Sequence, residues 1–282
     1  MKRRKLILTS LFAVSLATST IVSCSNQSAN NSNGADKKEL TLVTSPDYPP
    51  YEFYDTASGG RTIVGFDIDI ANYIAKDLGL TLKIQESDFN GLIPAIQAKR
   101  ADFVMAGMTP TDERKQNVDF STLYFQAQDT IVTTTGSNLK KPEDLAGKKV
   151  GVQLGSIQAG NAKKISEKVK GIEIKPLNKV PEIVQEVKSK RIDAAIIENT
   201  IAEGFLKSNP DLEFTLIPNE GPSGSAIAFP KGSPRVAEFN TVLQKMKANG
   251  ELDRLAKKWF SQSIPASPAA SPSVSPSPSP SK

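Results

Sequence analysis

Histidine is absent from the 282 residues, and cysteine and tryptophan occur once each. Without histidine the chain lacks the side chain most used to move protons near neutral pH, and its acidic residues form no cluster with metal-ligand spacing. The lone Cys24 allows no disulfide within the chain, so the fold must rest on its own core. No Gly-rich loop leads into Lys-Ser or Lys-Thr, so nothing is arranged to cradle and hydrolyse a nucleotide. The leading apolar run, residues 6–17, is too short and too interrupted by Ser and Thr to stay in a bilayer as a spanning helix. A basic excess is also missing. The formal net charge of +5 falls to +1 once the four basic residues of the leader are set aside, which removes the electrostatic case for nucleic-acid binding.

What is present begins with an export signal. Lys2, Arg3, Arg4 and Lys5 precede the apolar run, which closes on Ile21-Val22-Ser23-Cys24. Residues 1–23 read as a signal peptide that is removed, and the closing tetrad resembles the lipobox of bacterial lipoproteins. Lipidation of Cys24 would dispose of an otherwise awkward free thiol and hold the protein at a membrane surface; a soluble secreted protein with a stray cysteine is the alternative. Residues 24–38 are polar and rich in Asn and Ser, a tether with nothing to bury. Residues 264–282 alternate Ser and Pro with Ala and one Val, which reads as a disordered tail.

About 225 residues lie between these ends, enough for one large domain or two small ones. An internal echo favours two. Lys99-Arg100-Ala101-Asp102-Phe103-Val104 is matched by Lys190-Arg191-Ile192-Asp193-Ala194-Ala195, each reading as a helix end, a charged Arg-x-Asp turn and a buried strand. Phe66, Ile70, Ile74, Ala75 and Leu78 recur at helical spacing before Gly79. Pro181 opens a second helix with Ile183, Val184 and Val187 on one face. Val236, Phe239, Val242, Leu243 and Met246 make a third stripe, ended by Asn249-Gly250. These stripes are core. Alternating strands and helices predict two α/β lobes with mostly parallel sheets, whose ligands sit beyond the carboxyl ends of the strands.

At such an end lies Gly107-Met108-Thr109-Pro110-Thr111-Asp112-Glu113-Arg114. Thr109 suits an N-cap, Pro110 the first helical position and Asp112 the third, leaving first-turn N–H groups free for an anion. Arg114, one turn inside, can grip a carboxylate in a two-pronged fashion, while the Gly107 carbonyl and Thr109 hydroxyl can accept from an ammonium beside it. The segment therefore fits the zwitterionic head of an amino acid, or else it is an ordinary capped helix with a solvated arginine.

Five segments then carry a resemblance: Asp47-Tyr48-Pro49-Pro50-Tyr51-Glu52-Phe53, Val64-Gly65-Phe66-Asp67-Ile68-Asp69, Asp88-Phe89-Asn90-Gly91-Leu92-Ile93-Pro94-Ala95, residues 106–120 and residues 148–155. In this order the chain resembles the polar amino-acid-binding proteins of bacterial ABC transporters. The resemblance implies an α/β, two-lobed periplasmic-binding-protein-like fold, with two doubly wound sheets joined by a two-strand hinge. Lobe one would comprise residues 39–129 and 223–263, lobe two residues 130–222. It further implies that Arg114 and the Thr109 N–H hold the ligand α-carboxylate, that Gly107 and Thr109 serve the α-ammonium, and that Tyr48 and Phe89 sandwich the ligand side chain. Ser156 would add carboxylate donors from lobe two, with Gln158 beside it, and Glu198 stands where many relatives place an aspartate for the ammonium. Ser45 replaces an aspartate that several relatives turn toward the ligand side chain, while Asp47 and Glu52 suit basic or amide ligands. Read singly, Tyr48 and Phe89 are equally core aromatics, Glu198 a helix-cap carboxylate, and Asp67 and Asp69 solvated ends.

The function this implies is capture of a free polar or basic L-amino acid (arginine, lysine or glutamine) by hinge closure. A monomer without cofactor would deliver it to a membrane permease. The competing readings are a cyclohexadienyl or arogenate dehydratase-like enzyme, for which Glu198 is the only attractive cleft acid by alignment, and a sensory or adhesive surface lipoprotein.

Overall fold

The computed structural model describes residues 38–55, 61–219 and 221–260. The leader, Cys24, the polar segment ahead of Lys38 and the Ser/Pro-rich end lie outside the described residues. Two five-stranded sheets organise the chain. Across the first, the order is Thr81–Glu86, Glu39–Thr44, Phe103–Val104, Ala228–Pro230 and Val118–Phe120; across the second, it is Glu173–Leu177, Lys149–Gln153, Ala194–Glu198, Asp129–Thr134 and Leu212–Leu216. A small antiparallel sheet of Asp47–Tyr48, Glu52–Asp55 and Thr62–Val64 follows the first strand in sequence.

The echo in the sequence becomes a repeat in space. In each sheet the strand after the Arg-x-Asp turn takes the third place, and Lys99 and Lys190 share left-handed φ values of 57° and 58°. Asp102 accepts from the Thr41 N–H at 2.7 Å and Asp193 from the Lys149 N–H at 2.8 Å, while each aspartate's own N–H returns to the carbonyl of that same residue at 2.9 Å. The aspartate thus pins the start of one strand to its parallel neighbour in both sheets.

The sheets are less parallel than the sequence predicts. Each has two parallel and two antiparallel pairings. A strand–helix–strand unit keeps its strands parallel. The strands that depart from this rule lie beside the points where the chain leaves one sheet for the other and comes back. Asp129–Thr134 is the first strand of the second sheet, Ala228–Pro230 the return into the first, and both enter from the opposite end.

Each sheet is covered on both faces. Leu40, Leu42, Phe103 and Met105 pack with Phe66, Ile70 and Ile74 of the helix Phe66–Asp77 and with Phe239, Val242 and Met246 of the helix Arg235–Ala248. On the other face Val43, Val104 and Ala106 meet Leu92, Ala95 and Ile96. In the second sheet, Val132, Ala195 and Ile197 pack with Ile183, Val184 and Val187 of the helix Val180–Lys188, while Ile131, Val150, Ala194 and Ile196 meet Ala162 and Ile165. Burying a side chain of the size of Ile70 or Ile74 is worth roughly 1.5–3 kcal/mol. The first helix stops where its pattern does. Gly79, at φ 65°, follows the cap, and Leu80 N–H reaches back to the Ala75 carbonyl at 2.8 Å, closing the last turn in the Schellman manner. Among the described residues no helix is long and apolar enough to cross a membrane.

The two crossings between sheets touch. Phe125 and Ser225 form an isolated antiparallel bridge, with Ser225 N–H donating to the Phe125 carbonyl at 2.9 Å. Gly224, at φ 91°, lets the return strand come this close, since a Cβ there would stand 2.7 Å from the Phe125 oxygen. Beneath them Tyr51, Phe66, Phe125 and Phe260 pack ring against ring at 4.5 to 6.1 Å.

Candidate functional site

Between the sheets, a narrow cleft is lined by Tyr48, Phe89, Ala106, Gly107, Thr109, Arg114, Gln153, Ser156, Ile157, Gln158 and Glu198. It lies at the carboxyl ends of three strands: Phe103–Val104, Lys149–Gln153 and Ala194–Glu198 each lead directly into a lining segment. Of the residues singled out in the sequence, Tyr48, Phe89, Gly107, Thr109, Arg114, Ser156, Gln158 and Glu198 meet here; Ser45 and Asp47 do not line the cleft. Ala106, Gln153 and Ile157 line it as well. Ala106 and Gln153 fall inside segments that carry the resemblance and Ile157 between Ser156 and Gln158, but nothing in an Ala, Gln or Ile by itself signals a site.

The Arg114 segment is built differently from the expectation. The helix is Asp112–Asn117 and its cap is Thr111, whose hydroxyl accepts from the Arg114 N–H at 3.2 Å. Thr109 lies two residues before the cap. Arg114 therefore sits in the first turn with its amide already engaged by the Thr111 hydroxyl. What remains is the guanidinium. It donates to the Thr109 carbonyl at 2.8 Å and, across the cleft, to the Gly155 carbonyl at 2.9 Å, and stands 5.3 Å from the centre of the Phe89 ring. Burial without a carboxylate partner pulls it down to about 10, still cationic at neutral pH.

Glycines set two walls. Gly107 has φ 55° and a Cβ on it would come within 3.1 Å of the Tyr48 ring; Gly155 has φ 78°, and a Cβ there would reach 3.1 Å from the Asn90 Cβ. The first lets an aromatic face lie over backbone, and the second lets the two halves of the cleft approach. Ser156 caps the helix Ile157–Lys168: its hydroxyl accepts from the Ala159 N–H at 3.2 Å and donates to the Gln153 carbonyl at 2.8 Å. Gln158 and Asn161 both donate to the buried Asp129 carboxylate, at 2.8 and 2.6 Å.

Carboxyl groups dominate the surroundings. Glu198 Oε1 accepts from Tyr51 at 2.7 Å and from Thr200 at 2.5 Å, and burial pushes its carboxyl up to about 7 despite these bonds. Beneath Gly107, Asp67 Oδ2 accepts from the Gly107 N–H at 3.0 Å and from Tyr124 at 2.8 Å. Asp67 is not a solvated end; it is fully buried, and burial raises it to about 7. Its neighbour Glu52 is equally buried and displaced upward by burial first and by Asp67 next. Two buried carboxylates repel, so their double ionisation is disfavoured. Asp69, by contrast, accepts from Lys258 and Trp259 on the C-terminal helix at 2.6 and 2.8 Å.

Residues 40–262 match the family described as bacterial extracellular solute-binding proteins, family 3. The arginine-binding extracellular protein ArtP of Bacillus subtilis (strain 168) is 44% identical over 253 residues, covering 89% of this chain and 96% of that one. The ABC transporter glutamine-binding protein GlnH of the same organism is 35% identical over 272 residues, 91% of this chain and 96% of its own. A solved ancestral arginine-binding protein bound to arginine superposes with a TM-score of 0.75 at 40% identity, covering 79% of this chain and 99% of that structure.

Proposed function

The chain belongs to the bacterial extracellular solute-binding proteins of family 3, and from that premise we propose that it captures free L-arginine and hands it to an ABC permease. The observation that carries this reading is the charge arrangement of the cleft. One half-buried cation, Arg114, faces a lobe-two carboxyl, Glu198, with Asp129 held behind Gln158. Arg114 suits the ligand α-carboxylate in a bidentate pair. The ligand's two cationic groups then fall to acceptors, with Glu198, the Gly107 carbonyl and the Thr109 hydroxyl taking the α-ammonium. Tyr48 and Phe89 suit a guanidinium between their faces. A second cation would be needed for an acidic ligand, and among the described residues none other lines the cleft. The higher identity to ArtP than to GlnH, 44% against 35%, supports arginine over glutamine, and an ancestral arginine-binding protein has been solved with each of these two ligands.

The proposed lobes are residues 39–129 with 223–263 and residues 130–222, hinged at the Phe125–Ser225 bridge. Ligand bound first to the Arg114 side draws Glu198 and Ser156 over it, and those contacts, made only in the shut form, drive closure. Export with lipidation of Cys24 would keep a monomer beside its permease. Calorimetry of the purified exported chain against the proteinogenic amino acids tests the reading. Arginine is expected to give the tightest binding. Heat from none of them would end the proposal, and preference for glutamate would overturn the charge argument.

A further inference from the structure

Asp47 lies three residues past the end of the first strand, 6% exposed and outside the lining of the cleft, yet its carboxylate takes two hydrogen bonds from the other half of the molecule. Its Oδ1 accepts from the Ser45 hydroxyl at 2.6 Å. Its Oδ2 accepts from the Gln153 amide at 3.1 Å and from the Val180 N–H at 2.9 Å. Gln153 ends a strand of the second sheet, and Val180 is the first residue of the helix Val180–Lys188 packed on that sheet. Its preceding residue Lys179 pairs with Asp88 at 2.8 Å. Lys179 has no side-chain cap to offer the helix, so a carboxylate from the other half of the molecule takes the place of one.

We propose that Asp47 is a positioning residue for closure: a latch whose carboxylate caps a lobe-two helix and holds Gln153 in the shut form, stabilising that form through contacts that do not involve the ligand. This rests on the hinge-closure reading above. Because Val180 and Gln153 move away with lobe two, these bonds exist only when the halves meet. A contact exclusive to one of two states shifts the population toward it and slows departure from it. Ser45 takes part by holding the other carboxylate oxygen, which gives a role to a residue that lines nothing. The Lys179–Asp88 pair beside it is a poorer latch, since its side chains are 36% and 43% exposed and exposed pairs are weak.

Asp47→Asn keeps the shape but replaces the carboxylate by a neutral amide with one accepting oxygen, so the helix cap and the Gln153 bond lose their charge assistance, and Asp47→Ala removes both bonds. Stopped-flow kinetics with L-arginine, together with small-angle scattering with and without it, test the proposal on wild type, Asp47→Asn, Asp47→Ala and the control Asp88→Asn. For both Asp47 variants the expected result is an off-rate about tenfold faster with an on-rate within about twofold, and a larger radius of gyration without arginine. Asp88→Asn should stay within about twofold in both rates. An unchanged off-rate, or a loss confined to the on-rate, would overturn the latch. Should wild type bind no arginine, the functional reading fails separately, and equal radii of gyration for wild type and both variants would then reject the latch on scattering alone.

Discussion

Arg114 is the residue on which recognition turns. Among the described residues it is the one cation lining the cleft, its carbonyl partners lie on both halves, and a carboxylate ligand would replace those carbonyls by a stronger charge-assisted pair. Arg114→Ala should leave the fold intact and weaken arginine binding by at least about thirtyfold, since breaking one partner of a buried charged pair costs roughly 2–5 kcal/mol; titration calorimetry checks it. Glu198 sets a pH dependence. Its carboxyl, raised to about 7 by burial, must be ionised to hold a cation, so binding expels its proton. Affinity should fall by up to about tenfold per pH unit below 7, and Glu198→Gln should flatten the slope while weakening binding. The same displacement acts on folding with the opposite sense. Asp67 and Glu198 bind protons in the folded chain that the unfolded chain releases near pH 4 to 4.5. Their contribution is therefore full below that range and lost as pH rises through about 7. Glu52→Gln gives Asp67 an N–H donor that cannot titrate, so the fall in melting temperature between pH 5 and 8 should become shallower.

At the scale of elements, sequence reading did best where one periodic face or one turn settles the outcome. The stripe ending at Leu78 with Gly79 behind it, and the Arg-x-Asp turns before two buried strands, are local patterns whose partners lie in the neighbouring strand. It did worst at the Arg114 helix. Thr109 and Thr111 both precede a helix-forming run with an acidic residue suitably placed, and propensity cannot choose between them. The choice went to Thr111, whose hydroxyl reaches the Arg114 N–H. The mixed strand directions were equally illegible, because they depend on where the chain crosses between sheets. The crossing itself gives a test. Gly224→Ala places a methyl group 2.7 Å from the Phe125 carbonyl at φ 91°, whereas Gly136→Ala, at φ 79°, meets nothing within 4 Å. Both incur the backbone strain, about 1–3 kcal/mol, but only the first adds a backbone collision at the crossing. Its melting temperature should drop further, and a Gly224→Ala variant as stable as Gly136→Ala would contradict the tight pairing of the two crossings.

At the scale of the molecule the proposal is a change of shape. Saturating L-arginine should lower the radius of gyration and raise the melting temperature, by an amount that grows with the logarithm of ligand concentration beyond Kd, as binding to the native state alone requires. A rise without compaction would mean binding to a cleft that is already rigid. Sequence alone determined the α/β class, the doubling of one structural unit, the apolar faces and the residues that identify the family, because each is carried by neighbouring positions or short motifs with a local physical reason. The tertiary structure decided which carboxyls are stripped of water, that Asp47 stands outside the cleft lining and grips Val180 from 133 positions off, and that Tyr51 holds Glu198 from 147 positions off. Those outcomes depend on distance and burial between remote segments, and neither quantity exists until the two sheets have been assembled against each other.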